Sequence, residues 1–395
     1  MRIAQLRPNV RRYALSILAI CLITTIGLYM FCFRRPPPPL HPSVAWHPAR
    51  ENFPSLSIAA GKPPPILQQN VSPPDATRTP LFIGFTRNWP ILQQAVVSYL
   101  TAGWPAKDIY VVDNTGTMDS NTLGLLTLQN PFYVNYTRLK DSFGVNVVVT
   151  PTLLTFAQLQ NFFLYTAVTN GWENYWWSHM DSVAVSYEDR LPYESLHTKV
   201  LKDFAASKKP WNWALKFYAY DRLALVNVAA YKSIGGWDTH IPFYTTDCDF
   251  HQRIEMAGWK LPNVDVGMVF DVGDTLQDLA EMYPKNKEEG LNSERYKKIV
   301  REFREIDHAK ITADNPDGRN FWQGRQRGGK GEPFYRDPLG FKQGIDMFID
   351  LGKHVFAKKW GHNKCDLIKA GRRPEDAWQK PKDFLDHPWK AFGTR

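Results

Sequence analysis

Asp108 to Asp113 reads DIYVVD and runs straight into Asn114-Thr115-Gly116. An apolar and aromatic stretch bounded by acids and closed by a turn signature describes a short buried strand ending at an edge. Upstream, Leu81 to Phe85 (LFIGF) is a second such strand, followed by the polar turn Thr86-Arg87-Asn88-Trp89 and by Pro90, a favourable first helical residue. The stretch ILQQAVVSYL puts Ile91, Ala95, Tyr99 and Leu92, Val96, Leu100 on one helical stripe, and Gly103 closes it. Downstream, Val145 to Thr150 reads as a third strand, residues 153–169 as a helix, and Tyr175 to Met180 as a fourth strand ending at Asp181. Strands alternating with helices predict an α/β fold, with a mostly parallel sheet covered on both faces. Ligands of such sheets bind at the carboxyl ends of the strands, where Asp113 and Asp181 both fall.

The remaining chemistry lies in two acidic clusters. One is His179-Met180-Asp181-Ser182, after an aromatic strand. Alternation along an extended chain puts His179 and Asp181 on one side, where imidazole and carboxylate can reach one divalent cation. Mg²⁺ or Mn²⁺ is commonly held by one or two carboxylates together with substrate phosphate oxygens. The other cluster is Gly235-Gly236-Trp237-Asp238, then Asp247-Cys248-Asp249, Arg253 and Gly258-Trp259. Asp247 falls at the start of a helix, DCDFHQRIEMAG, that Gly258 ends. Structural roles compete with these: Asp247 as a helix cap and His179 as a hydrogen-bonded interior histidine.

The flanks differ in kind. Tyr13 to Phe33 carries no charge, and its length as a helix matches a hydrocarbon core of about 30 Å. Arginines precede it, and it ends in Phe-Cys-Phe-Arg-Arg rather than in small residues, which favours an uncleaved anchor with residues 1–12 cytoplasmic over a cleaved signal peptide. Residues 34–79 form a proline-rich stem (Pro36 to Pro39, Pro63 to Pro65, Pro73-Pro74) suited to a semi-rigid spacer. The net charge of +9 is concentrated in these flanks: residues 1–79 hold nine Arg or Lys against Glu51 and Asp75. No basic stripe therefore remains to argue for nucleic acid. The sequons Asn70-Val-Ser and Asn135-Tyr-Thr agree with a lumenal domain but are short enough to arise by chance. With Cys21 and Cys32 in the anchor, at most Cys248 and Cys365 can pair there.

Taken together, these blocks resemble family-2-like glycosyltransferases of the GT-A fold, with the flavour of a fungal type II Golgi membrane enzyme. Val112-Asp113-Asn114, His179-Met180-Asp181, Gly235-Gly236-Trp237-Asp238 and Asp247-Cys248-Asp249 with Arg253 and Gly258-Trp259 carry the likeness. It covers roughly residues 80–275, the catalytic domain, with 276–395 as an extension packed on it. The resemblance implies a Rossmann-like sheet, a nucleotide-sugar donor, a glycan or glycoconjugate acceptor and an inverting displacement. Thr86 and Asp113 would contact the nucleotide, and Asp181 would hold Mn²⁺ or Mg²⁺ on the diphosphate. Asp247 would be the general base, with Asp249 and Arg253 supporting its helix and loop. Trp237, beside Asp238, would offer the acceptor a ring. The chain departs from the family where His179 replaces the first acid of Asp-x-Asp. The strand Val264 to Phe270 ends in Asp271, which becomes the candidate second metal ligand. Lys359, in Lys358-Lys359-Trp360-Gly361-His362, resembles an element in which a lysine neutralises the diphosphate, with a surface lysine pair as the alternative.

Residues 284–309 alternate charged and apolar residues as a solvated amphipathic helix would. Gly324 to Gly331 nearly spells a phosphate loop, but lacks the final Ser or Thr and a preceding strand, and reads as a flexible loop. Two other function classes remain. A decayed transferase fold that binds glycans is suggested by His179, and a glycoside hydrolase would need Asp247 and a second acid.

Overall fold

The computed structural model describes residues 21–25, 66–71, 79–207, 209–284, 289–312 and 328–379. Contacts divide the chain into two units, Met1–Val44 and Ala45–Arg395. In the first unit residues 21–25 are helical and exposed; the rest of the 13–33 span, like the proline runs of the stem, lies outside the described residues. Among the described residues no helix is long and apolar enough to cross a membrane.

The second unit is built on a six-stranded sheet. β1 (Leu81–Phe85) is flanked in parallel by β2 (Ile109–Asp113) and β4 (Asn174–His179), and β3 (Asn146–Val149) continues the parallel run outside β2. On the other side of β4 the direction reverses. β7 (Leu223–Asn227) and then β6 (Leu215–Ala219) complete the order β3-β2-β1-β4-β7-β6 with antiparallel pairing. The sheet is thus mostly parallel, as the sequence predicts, with four parallel strands and an antiparallel hairpin added at one side. A two-stranded antiparallel pair lies apart from it: β5 (Ser182–Val185) and β8 (Met268–Asp271), with Ser182 opposite Asp271. β8 is shorter than the predicted strand from Val264.

Helix α1 (Trp89–Thr101) follows β1. Asn88 adopts a left-handed conformation and accepts a hydrogen bond from the Ile91 N–H, and Pro90 takes the position where its missing N–H costs nothing. α2 (Phe156–Thr169) opens with a Thr155–Gln158 capping box. The side chains of β4 alternate between the two faces. Trp176 belongs to the core under α1, and Trp177 to the core under α2. Such rings are buried on both sides of the sheet, and Trp213 is likewise buried. On the Trp177 face, α4 (Val228–Ile234) ends at Gly235, and α5 (Thr246–Met256) follows the Gly235-Gly236 turn. Gly236 is fixed at φ 71°, and a Cβ there would stand 2.7 Å from Asn161 Oδ1, so only glycine fits.

α3 (Leu196–Ala206) follows β5. α6 (Glu294–Ile311) is half-buried rather than solvated, with Tyr296, Ile299, Val300, Phe303 and Lys310 turned inward. α7 (Pro338–Trp360) ends with Trp360 buried. Cys248 in α5 and Cys365 beyond α7 form a disulfide across 117 residues, tying the C-terminal segment to α5. Of the glycine-rich stretch, residues 324–327 lie outside the described residues, and Gly328 and Gly329 pack on Gln129 and Asn130. Both sequon asparagines are buried. The Asn70 amide donates to the Thr101 carbonyl at 2.7 Å, and Asn135 accepts from the Arg138 N–H at 2.8 Å, so neither presents a glycan acceptor in this fold.

Candidate active site

The carboxyl edge of the parallel strands gathers most of the predicted residues. Phe85 pairs with Asp113 and Gly84 with His179, so Thr86, Asn114 and Met180 begin the loops above one line. The turn between β6 and β7 rises at the same edge, since Ser178 pairs with Leu223.

On the β2 side Asp113 is only 1% exposed, and its carboxylate is already engaged. One oxygen accepts from the Thr115 hydroxyl at 2.6 Å and the Thr115 N–H at 3.0 Å, the other from the Tyr136 hydroxyl at 2.6 Å. Burial pushes its pKa up, against the lowering effect of those donors. Asp113 therefore shapes the Thr115-Gly116 loop instead of standing free for a nucleotide. Thr86 stands half-buried beyond β1. The loop is closed from outside by Arg336, which donates to the carbonyls of Thr115 (2.8 Å) and Gly116 (3.3 Å) over the ring of Phe132.

The three predicted metal ligands do not share a vacant cation site. Asp181 and Asp271 are brought together by the β5–β8 pair, and the Val272 N–H donates to the Asp181 carbonyl at 2.8 Å. Between them lies the ammonium of Lys310, 2.7 Å from Asp181 Oδ2, 2.6 Å from Asp271 Oδ1 and 3.2 Å from the Val272 carbonyl. Burial alone would lower the Lys310 pKa, but the two carboxylates outweigh it and raise it. Asp307, one turn earlier on α6, accepts from the Asp271 N–H at 2.7 Å and fixes that strand end. Among the described residues no group of three or more His, Cys, Asp or Glu is placed to hold a metal ion. The Lys310 ammonium already occupies the position between the two carboxylates, so these residues do not fit a divalent cation as they stand.

His179 turns elsewhere. Its ring stacks on Phe156 at 5.7 Å, and Nε2 lies 4.0 Å from Asp221 Oδ1. Burial opposes its protonation, but Asp221, with Asp181 and Asp271 behind it, more than compensates and raises its pKa. Asp221 sits in the β6–β7 turn at φ 54°, a left-handed conformation uncommon outside glycine, and it was not anticipated from the sequence. Its signal is an Asp in the middle of a three-residue turn, Tyr220-Asp221-Arg222, between apolar runs.

Asp247 is the second residue of α5, two positions past its N-cap Thr245, and is not the cap. Burial and the nearby Asp221 push its carboxyl pKa up, opposed by His251 and by the backbone N–H groups of the first turn. Among the described residues no salt bridge reaches it. His251, one turn on, is 7% exposed, and burial lowers its pKa. Its Nε2 and Asp221 Oδ1 are buried polar atoms without a hydrogen-bond partner. Buried polar groups are ordinarily satisfied by protein or by water, so these two atoms are open to a partner from solvent. Asp247, Asp221, His179 and His251 thus form a group short of partners, beside exposed Tyr220.

Asp249, by contrast, is fully buried and saturated. It accepts from Arg253 Nε (2.9 Å) and Trp360 Nε1 (2.8 Å) and ion-pairs with Lys359 (2.7 Å). Arg253 reaches on to the carbonyls of Ile234 and Gly236 and so braces the Gly235-Gly236 turn. Lys359 also binds Asp238 at 2.8 Å and is 5% exposed. It is neither a diphosphate ligand nor part of a surface pair; it is the cation of a buried clamp. Trp237 is 2% exposed, stacked on Phe250 at 4.5 Å and edge-on to Phe156, so its ring fills the core and is closed to an acceptor.

No protein-family model and no curated protein matches this sequence. Solved structures that resemble it include a mannosyltransferase from Pyrobaculum calidifontis in complex with GDP-Man and Mn²⁺, with 13% identity over 76% of this chain and 81% of that one, at a TM-score of 0.35. A Drosophila β1,4-galactosyltransferase catalytic domain in complex with xylobiose has 12% identity over 56% of this chain and 79% of that one, at 0.30. A cytidylyltransferase from Leptospira borgpetersenii has 10% identity over 58% and 94%, at 0.35. Likenesses this distant carry no argument about this chain's chemistry, which rests on its own side chains.

Proposed function

We propose that the chain is a glycosyltransferase that moves a sugar, of hexosyl type, from a nucleotide-sugar donor to a hydroxyl of a glycan or glycoconjugate acceptor. The observation that carries this reading is Asp247: a largely buried carboxylate at a helix start on the sheet's carboxyl edge, short of cations and beside other unsatisfied polar atoms. A carboxylate so placed, with its pKa raised, is suited to take a proton from a hydroxyl as that oxygen attacks. In the inverting reaction the acceptor oxygen bonds to the anomeric carbon as the bond to the nucleotide diphosphate breaks. The hydroxyl proton passes to Asp247, and the diphosphate leaves with the electron pair. Asp221 would keep the Asp247 carboxylate basic, and His179, which the neighbouring acids favour as a cation, would face the developing negative charge. The Thr115-Gly116 loop, held by Asp113 and Arg336, would border the nucleotide near Thr86. No step is routed through a metal, because Asp181 and Asp271 hold Lys310.

The same chain would be a single-pass type II Golgi membrane protein, anchored by residues 13–33 with its catalytic unit in the lumen. The Cys248–Cys365 disulfide suits such an oxidising compartment. One observation favours a second reading. Lys310 in the acidic pair is what a transferase fold that binds sugars without turnover would also tolerate.

The test is to incubate the full chain with UDP-, GDP- and other nucleotide sugars in the presence of glycan acceptors and to record nucleotide release. Release from one donor that depends on an acceptor establishes transfer and names the donor. Binding of a donor with no release under any acceptor supports the second reading, and the absence of both removes the nucleotide-sugar reading.

A further inference from the structure

We propose that Lys310 is the resident cation of the acidic pair Asp181–Asp271 and keeps divalent metal out of it, so that the protein is indifferent to Mn²⁺ and Mg²⁺ at this position. The three hydrogens of its ammonium are matched by three acceptors, Asp181 Oδ2, Asp271 Oδ1 and the Val272 carbonyl. Lys310 is 3% exposed, and its side chain belongs to the inward row of α6 with Tyr296, Ile299 and Phe303.

The site is built to keep that ammonium. The β5–β8 pairing places Ser182 opposite Asp271, which sets the two carboxylates on either side of the helix end. Asp307 and Arg222, 3.4 Å apart, brace the same strand, and Arg222 also donates to the Val269 carbonyl at 2.8 Å. A buried ion triad of this kind is hard to break one member at a time, because removing the cation leaves two uncompensated carboxylates. A divalent ion would have to expel an ammonium that already satisfies the lone pairs it needs. His179 is turned to Asp221, and among the described residues no group of three His, Cys, Asp or Glu forms a ligand set.

The proposal is independent of whether sugar is transferred, since it is read from metal binding alone. Mn²⁺ titrated into the metal-free full chain, followed by the paramagnetic signal of free Mn²⁺, should show no site assignable to Asp181. In Lys310→Met, which keeps the apolar stem and removes the charge, about one Mn²⁺ per chain should bind, and Asp181→Asn on that background should abolish it. Lys310→Arg, which keeps the cation, should stay blind to metal. Mn²⁺ binding by the natural chain that disappears in Asp181→Asn would overturn the proposal. So would a folded Lys310→Met that takes up no metal. Should Lys310→Met fail to fold, thermal unfolding of the natural chain decides: a midpoint unmoved by Mn²⁺ supports the proposal, and a rise lost in Asp181→Asn overturns it.

Discussion

Asp247 and Asp249 stand two residues apart in one turn of α5, yet belong to opposite worlds. Positions i and i+2 of a helix point to different sides, whereas i and i+4 share one. Asp249 therefore faces the interior with Arg253, four residues on, and with Lys359 and Trp360 brought by α7. Asp247 faces the sheet edge with His251, also four residues on, and with Asp221 from the β6–β7 turn. The inner acid has a partner for each oxygen and can only hold the structure together. The outer acid is left with a negative neighbour, an arrangement that costs folding energy and is worth keeping only where a substrate completes it. The Asp181–Asp271 pair belongs with the inner group, because Lys310 completes it.

The comparison breaks most sharply through Asp247→Asn. If the outer acid is the base, turnover should fall by about 10²–10⁴-fold, while the midpoint of thermal unfolding should hold or rise, because an unfavourable buried charge has been removed. A variant with near-normal turnover removes Asp247 from the mechanism and with it the division of labour. Asp249→Ala should do the reverse. Loss of one member of a buried ion-pair network costs about 3–5 kcal/mol, so denaturant unfolding should shift strongly. An Asp249→Ala chain as stable as the natural one would show that the clamp contributes nothing.

Much of this was legible before the structure. DIYVVD and LFIGF read as buried strands of a mostly parallel sheet with covering helices, and the structure pairs them in parallel. The β6–β7 hairpin was not legible. Its turn, Tyr220-Asp221-Arg222, has no glycine, and the left-handed conformation falls on an aspartate instead. Missing it meant missing Asp221, the neighbour that makes Asp247 unusual. Lys310 was hidden by a general expectation that lysines face water. Its position, seven residues after Phe303, continues the apolar row of α6 and was the one available sign. Lys359 and Trp237 were misplaced for a related reason: sequence shows which side chains can bind a ligand, but only packing shows which are already bound. The i, i+4 rule would have separated Asp247 from Asp249 on sequence alone, once Arg253 was paired with one of them.

Acid titration sharpens the contrast with the smallest effect. Burial works against ionisation of Asp238, but Lys359 and the His240 N–H prevail and bring its pKa from 3.8 down to about 2. Its folded pKa is thus below the unfolded one, so the unfolded chain binds more protons in this range and stability must fall with acid. The contribution is full above pH 3.8 and is lost as the pH drops through about 2, and it amounts to about 1–2 kcal/mol after allowance for solvent screening. Asp247 has the opposite sign. Its folded pKa is raised, so the native chain takes up the proton first, and acid relieves it where acid harms the clamp. Unfolding free energies measured from neutral pH down to about 2 should therefore lose part of their acid slope in Asp238→Asn and gain slope in Asp247→Asn. Variants that flatten the profile in the same direction would mean that the two acids are not differently partnered, and the distinction between an inner clamp and an outer base would fall with it.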